Sequence, residues 1–198
     1  MRQALTGLVA CIVLSGAPAP LQQERVAALK RGVLLYAMPG LPDPNFAETV
    51  LLLLEHNSDG SLGVVLNRPT ERSVDNALDV RAGTSGIDLH VSWGGPVQPG
   101  AVLSLVRTLR AGPRAQTILG EVHLTPDLDD VRQVLAERGG RLRARIFSGY
   151  AGWARGQLEA EVRAGSWVPE PADAATVFST EPSRMWERVR EILRRLSA

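Results

Sequence analysis

Residues 148–157 carry the side chains best suited to binding another molecule. This glycine-rich segment follows an apolar stretch and precedes a short helical pattern. Glycine lets another group approach the backbone closely, and the N–H groups at a helix start attract an anion. Arg155 would add a bidentate donor, and Tyr150 and Trp153 an apolar wall. The segment predicts a site for a small anionic ligand or a peptide end. The alternative is a glycine-rich connection whose aromatic residues fill the core.

A second candidate segment spans residues 43–46. Asp43 and Asn45 can bond to nearby backbone N–H groups and shape a turn, and Phe46 is expected to anchor the segment in the core. If Asp43 were buried instead, desolvation would raise its pKa and make it a candidate acid or base. Arg68 is expected to pair with Asp43 or Glu55 and to brace the loops structurally.

We expect these segments to lie side by side in one loop cluster. Its acidic and amide side chains would fix the loop, its aromatic residues would supply contact area, and its arginines would meet an acidic group. The candidate binding residues are Asp43, Asn45, Arg68, Tyr150, Trp153 and Arg155. A structure that placed the two segments on opposite faces would refute this arrangement.

Signals for catalysis and for metal binding are weak. The three histidines are far apart in sequence, and no zinc motif of the H-E-x-x-H type occurs. The single cysteine, Cys11, excludes an intramolecular disulfide and a cysteine-cluster metal site. Ser148 lacks the frame of a nucleophile elbow, although sequence order leaves a Ser-His-Asp triad open. We therefore assign no catalytic residue, cofactor or metal. A hydrolase or transferase that uses Asp43 or His56 as base is the alternative function.

Two further motifs resemble nucleotide or DNA binders only superficially. The segment Gly94-Gly95-Pro96-Val97 lacks the lysine and hydroxyl of a phosphate-binding loop and predicts a chain turn. The C-terminal helix is rich in arginine, but Glu187 and Glu191 interleave and the pattern is typical of a solvated surface. With 22 basic and 21 acidic residues, the chain has a net charge of +1 and no long-range field for nucleic acid. A DNA-binding transcriptional regulator is the third and least favoured function.

The hydrophobic pattern predicts an α+β fold with a mainly antiparallel sheet and packed helices. Asn57 to Gly60 is a turn signal that joins two β-rich stretches into a hairpin. Thr125 and Pro126 begin a helix that ends at the glycine pair 139–140. The remaining expected strands are 33–38, 90–93, 101–108, 117–125, 141–147 (with one wet face) and 166–168, and the remaining helices are 73–78, 156–163 and an amphipathic helix at 183–196.

The length of 198 residues suits one domain. We divide the chain into an N-terminal extension, residues 1–31, and a domain, residues 32–198. Residues 1–19 have the shape of a secretory signal peptide, with an apolar run from Ala4 to Leu14 that is too short to span a bilayer. No later segment has the length of a membrane span, so no transmembrane segment is expected. Location in the cytoplasm is favoured, with export as the alternative.

Four blocks in fixed order resemble the AlgH/YqgE family of small bacterial proteins. They are residues 37–46, residues 56–60 together with 63–69, residues 94–97 and residues 149–159. The resemblance implies a single α+β domain that is usually cytoplasmic, and it implies a regulatory role without a defined biochemical activity. We therefore expect a non-enzymatic binding or regulatory module that acts through a protein partner or a small anionic ligand.

Overall fold

The computed structural model describes residues 19–73, 90–136 and 143–196. Within these ranges the strands are β1 Val33–Ala37, β2 Val50–Asn57, β3 Gly60–Val65, β4 Pro69–Ser73, β5 His90–Trp93, β6 Val97–Arg107, β7 Gln116–Leu119, β8 Val122–Thr125, β9 Ala144–Ala154 and β10 Trp167–Pro171. The helices are α1 Ala19–Ala27, α2 Leu128–Ala136, α3 Gln157–Arg163, α4 Ala174–Val177 and α5 Met185–Leu196, with a 3₁₀ turn at Pro182–Arg184.

The strands form one sheet whose centre is the long strand β9. The strand order is β10-β1-β2-β3-β9-β6-β8-β7, and β5 joins β9 and β4 beside this path. One edge of β9 pairs antiparallel with β6, while its other edge pairs parallel with β5 and then antiparallel with β3. The expected α+β class with a mainly antiparallel sheet is confirmed, and the 57–60 turn joins β2 and β3 as predicted.

Apolar side chains pack in two clusters, one large and one small. The large cluster contains most of β1 and β2, parts of β3 and β9, and the buried residues of α3, α4 and α5. The small cluster joins α2 to β5, β6 and the first half of β9. Leu29, which lies in the predicted extension, is buried in the large cluster, and α1 packs against α3 and β10. The proposed boundary at residue 31 stays a prediction.

The backbone of the Gly94–Gly95 motif packs directly against the backbone of Gly149 and Tyr150 in β9. A Cβ on Gly94 would lie 2.3 Å from the carbonyl oxygen of Gly149, and one on Gly95 would lie 2.2 Å from the carbonyl carbon of Tyr150. Gly149 has φ of +70°, which favours glycine. These residues are therefore small because two chain segments touch there, and this contact accounts for two of the four blocks that carried the family resemblance.

The structure corrects three expectations about local structure. Residues 148–154 form the second half of β9 and not a loop, because β3 and β6 pair with both edges of this segment. The single strand expected at 117–125 is a hairpin of β7 and β8 that turns at Gly120, where φ is +48°. Arg145, expected on a wet face, is only 9% exposed. The expected signal segment and the short helix at 73–78 lie outside the described residues, apart from Ala19 and Ser73.

Candidate functional site

The loop before β2 is held by its own polar groups and by Arg68. The Asp43 carboxylate accepts a bond from the backbone N–H of Asn45 at 2.8 Å, as the turn prediction requires. The Arg68 guanidinium donates to the carbonyl oxygens of Pro44 and Ala47 at 3.2 and 3.0 Å. Burial lowers the pKa of Arg68, and the charges of Asp43 and Glu48 oppose this. Arg68 therefore braces the loop as expected, but through carbonyl oxygens.

Trp153 belongs to a closed cluster of aromatic rings around one carboxylate. Its ring stacks on Phe46 with centroids 6.2 Å apart and meets Trp167 edge-on at 6.1 Å. The indole N–H groups of Trp153 and Trp167 both donate to Glu161, at 3.0 and 2.8 Å, and the Gln157 amide adds a third donor at 3.0 Å. We call these five residues the indole cluster. It places the 43–46 loop in contact with β9, which is the proximity that the sequence predicted.

Tyr150 and Arg155 lie apart from that contact. Tyr150 is half-buried and pairs with Val97 of β6. Arg155 donates to the carbonyl oxygen of Ser58 at 2.6 Å and lies 3.5 Å from Asp59, at the β2–β3 turn. The structure thus brings Asp43, Asn45 and Arg68 together and joins Trp153 to them through Phe46. The role of the six residues in ligand binding stays a prediction.

A groove between α4 and α5 has the size and lining of a site for a small molecule. Its volume is about 330 Å³. Most of the lining is apolar, and four side chains add polar atoms at separate points. The lining residues are Tyr36, Val50, Ala175, Thr176, Ser179, Met185, Arg188, Val189 and Ile192. We call this the α4–α5 groove. Sites for small ligands commonly combine apolar walls with a few placed polar groups.

Tyr36 is the most unusual residue of this groove. It is only 8% exposed, yet no described residue of 19–73, 90–136 or 143–196 makes a hydrogen bond with its hydroxyl. Burial raises the pKa of Tyr36, and the negative charges of Glu170 and Asp173 raise it further. Its hydroxyl therefore stays protonated at neutral pH and can donate a hydrogen bond into the groove.

Helix α5 forms one wall of the groove and carries paired charges on its outer surface. Met185, Val189 and Leu193 are buried, whereas Ile192 is 45% exposed at the groove. Arg188 pairs with Glu181 just before the helix. Other ion pairs on this surface join Arg184 to Glu181 and Glu187, and Arg194 and Arg195 to Glu191. Such pairing weakens the case for a DNA-contacting helix.

A serine, a histidine and a glutamate form a chain beside the β2–β3 turn. His56 Nδ1 lies 2.8 Å from Ser61 Oγ, and His56 Nε2 lies 4.0 Å from Glu159 Oε1. The order of groups is that of a nucleophile, a base and an orienting acid. Separately, no group of three histidine, cysteine or carboxylate side chains in the described ranges has an arrangement that could hold a metal ion.

Comparison with known proteins assigns the family. Residues 34–196 match the model of a family described as AlgH-like. The chain belongs to the AlgH-like family. A UPF0301 protein of Streptomyces coelicolor is 43% identical over 170 residues, which are 83% of this chain and 85% of the relative. A UPF0301 protein of Methylococcus capsulatus is 36% identical over 166 residues, which are 80% and 86%.

Two solved structures have a similar fold. The solution structure of AlgH from Pseudomonas aeruginosa has 35% sequence identity and a TM-score of 0.65, and the match covers 84% of this chain and 88% of that one. A crystal structure from Corynebacterium diphtheriae has a TM-score of 0.70 at 23% identity, over 81% and 85% of the two chains. In the part of this AlgH-like chain that the structure describes, no helix has the length and apolar character to cross a membrane.

Sequence reasoning did not identify the α4–α5 groove. The sequence places Tyr36 only within the strand expected at 33–38, and Ile192 within the amphipathic helix expected at 183–196. The one available signal was that Tyr36 carries a hydroxyl in a run that is otherwise apolar. A buried hydroxyl usually has a hydrogen-bond partner, but which residue faces it depends on the tertiary fold.

Proposed function

We propose that this AlgH-like protein is a non-enzymatic binding module that takes a small molecule in the α4–α5 groove. The observation that carries the proposal is Tyr36, which is only 8% exposed and lines the groove, and whose hydroxyl has no acceptor among the described residues. A ligand that supplies an acceptor would gain about 0.5–1.5 kcal/mol from a hydrogen bond with this hydroxyl.

The regulatory part of the proposal concerns α5. A ligand in the groove would touch Thr176 of α4, Val50 of β2 and Val189 of α5 at once. It would therefore stabilise α5 against the sheet. A protein partner that contacts the outer surface of α5 would then bind the occupied form more tightly, because a ligand shifts an equilibrium by its difference in affinity for two states.

The proposal is tested by blocking the groove. Ala175 is exposed and lines the groove, so Ala175→Trp fills it without disturbing the core. Leu109, which is 90% exposed and outside the groove, provides the matched control Leu109→Trp. Each protein is purified from the source cells, and its small molecules are released by denaturation and identified by mass spectrometry. We expect one compound from the parent and from Leu109→Trp, and its loss from Ala175→Trp. Equal recovery from all three proteins contradicts the proposal.

The Ser61–His56–Glu159 chain favours a second candidate function, a serine-dependent hydrolase. In this case Ser61 Oγ attacks an acyl carbon, and His56 takes the hydroxyl proton and later gives it to the leaving group. The 4.0 Å separation of His56 Nε2 and Glu159 Oε1 is long for a hydrogen bond, but catalytic hydrogen bonds are often longer in an enzyme without substrate than in its substrate complex.

A fluorophosphonate probe separates this candidate from the binding module. An active hydrolase would be labelled at Ser61, and labelling would fall at least tenfold in His56→Gln. Ser148→Ala serves as the control, because Ser148 bonds to the carbonyl oxygen of Pro99 and not to a histidine. An unlabelled parent rules out a reactive serine at this position.

A further inference from the structure

The Tyr36 hydroxyl restricts which chemical group can occupy the inner part of the α4–α5 groove. Because the phenol stays protonated, its hydrogen is available to an acceptor oxygen or nitrogen of the ligand. The neighbouring hydroxyls of Thr176 and Ser179 can turn to donate or accept, so they add little selectivity. A ligand with an acceptor facing Tyr36 would therefore gain a hydrogen bond that a ligand without one lacks.

The charges and the apolar wall of the groove disfavour a ligand that carries either sign. Glu170 and Asp173 place negative potential at the Tyr36 hydroxyl, which repels a carboxylate or phosphate at that point. Arg188 lines the groove, but its charge is already paired with Glu181, so it offers no free positive charge to an anion. A charged group would also lose its hydration against the apolar wall of Val50, Met185 and Val189. An uncharged acceptor avoids both the repulsion at Tyr36 and the loss of hydration.

The volume of the groove limits the size of the ligand. A water molecule occupies roughly 30 Å³ of liquid, and a heavy atom with its hydrogens takes a similar share. The groove of about 330 Å³ therefore holds a molecule of roughly ten heavy atoms. Since Val50, Met185, Val189 and Ile192 are aliphatic or thioether side chains, the body of such a molecule is apolar.

We propose that the α4–α5 groove binds a small uncharged carbonyl compound, an aliphatic amide or ester of roughly ten heavy atoms, whose carbonyl oxygen accepts a hydrogen bond from the Tyr36 hydroxyl. This proposal rests on the binding function proposed above and adds the class of ligand. This neutral ligand differs from the anionic ligand expected from the sequence. That expectation depended on Arg155, which does not line this groove.

The class of ligand is tested with three probes of similar size and different charge. Octanamide, octanoate and octylammonium are titrated into the full chain, and binding is followed by ligand-observed NMR. We expect octanamide to bind at least ten times more tightly than either ion. In Tyr36→Phe, which removes only the hydroxyl, octanamide affinity should fall about 3- to 10-fold, as for one hydrogen bond. Thr117→Val is the matched control, because it also removes one hydroxyl and the exposed Thr117 lies outside the groove lining, and it should bind octanamide as the parent does.

The outcomes separate the class of ligand from the binding function itself. Tighter binding of octanoate or octylammonium, or unchanged octanamide affinity in Tyr36→Phe, overturns the assignment of a neutral carbonyl compound. If octanamide binds the parent and Ala175→Trp equally, it binds outside the groove and the assignment also fails. When none of the probes binds but a cellular compound is lost in Ala175→Trp, the ligand class is wrong and the binding function stands. Failure of both experiments removes both proposals.

Discussion

The indole cluster and the α4–α5 groove are neighbouring aromatic regions with opposite hydrogen-bonding states. Trp167 pairs with Ala37 across β1 and β10, and Tyr36 is the next residue along β1. Since successive side chains point to opposite faces of a sheet, the two regions lie on opposite faces of this strand pair. In the indole cluster every polar group found on a ring donates to Glu161. In the groove the Tyr36 hydroxyl has no acceptor within the described residues.

This difference separates a region built for stability from one suited to binding. A buried donor that is satisfied within the chain has nothing to gain from a ligand, whereas an unsatisfied donor does. The indole N–H of Trp186 on α5 is buried and has no acceptor in the part of the chain that the structure describes. Both unsatisfied donors therefore belong to the side of the molecule that α5 covers. The following predictions are ordered from the largest expected effect to the smallest.

Replacing Trp153 should cause the largest loss of stability. Trp153→Ala removes a buried ring that contacts Phe46 and Trp167, and it leaves a cavity. We expect the free energy of unfolding to fall by about 3–5 kcal/mol, measured by urea denaturation. Trp153→Phe, which keeps a ring, should lose clearly less. A loss below about 1 kcal/mol in Trp153→Ala would show that this ring is not part of the core.

Removing the shared acceptor should have an intermediate effect. Glu161→Leu leaves the indole N–H groups of Trp153 and Trp167 without an acceptor, so the free energy of unfolding should fall by about 1–3 kcal/mol. Glu161→Gln keeps one carbonyl oxygen and should lose less. If both variants were as stable as the parent in urea titrations, the hydrogen bonds to Glu161 would not stabilise the indole cluster, and its contrast with the groove would be lost.

Removing the Tyr36 hydroxyl should change stability little at neutral pH. Tyr36→Phe deletes a hydroxyl that has no partner among the residues the structure describes, so we expect a change within about 0.5 kcal/mol. The pKa of Tyr36 is raised in the folded state, so its contribution to stability is full below the ordinary value of 10.0 and declines as the pH rises above it. Stability measured from pH 8 to pH 11.5 should therefore fall less steeply in Tyr36→Phe. Equal slopes would contradict the burial of this phenol.

Arg155 should have the smallest effect on stability. Its side chain is 75% exposed and its partner Asp59 is 88% exposed, so Arg155→Ala should stay within about 0.5 kcal/mol of the parent. The informative measurement is a pull-down from source cells, which shows whether Arg155→Ala still binds the proteins or small molecules that the parent binds. Loss of a companion from Arg155→Ala but not from Arg72→Ala, a control with another exposed arginine, would support the ligand site predicted from the sequence.

The sequence predicts those parts of the fold that depend on local signals. The hairpin turn at 57–60 and the α+β class follow from turn residues and apolar runs. The second half of β9 could not be predicted in this way, because its glycines have low strand propensity and pairing with the distant strands β3 and β6 stabilises it.

Buried polar groups were the harder part of the site to predict. The alternating pattern of its strand predicts that Arg145 lies on the surface. Instead, its guanidinium donates to the carbonyl oxygens of Leu66 and Val177 and lies over the ring of Phe147. Burial lowers the pKa of Arg145 to about 10. One partner follows β3 and the other belongs to α4, so the sequence around Arg145 does not indicate either of them. The residues around Tyr36 in the α4–α5 groove also come together only in the assembled fold.

The pairing of β1 with β10 has a consequence for how this chain is made. β1 is one of the first strands to leave the ribosome and β10 is the last. Until β10 emerges, one edge of β1 exposes unpaired N–H and C=O groups, and such edges recruit other chains. During most of synthesis the apolar strands β1 and β2 are therefore present without β10, the last strand to pair with β1. A ribosome that stalls before residue 167 would release a chain prone to aggregation, and a chaperone that covers β1 during translation would raise the yield of folded protein.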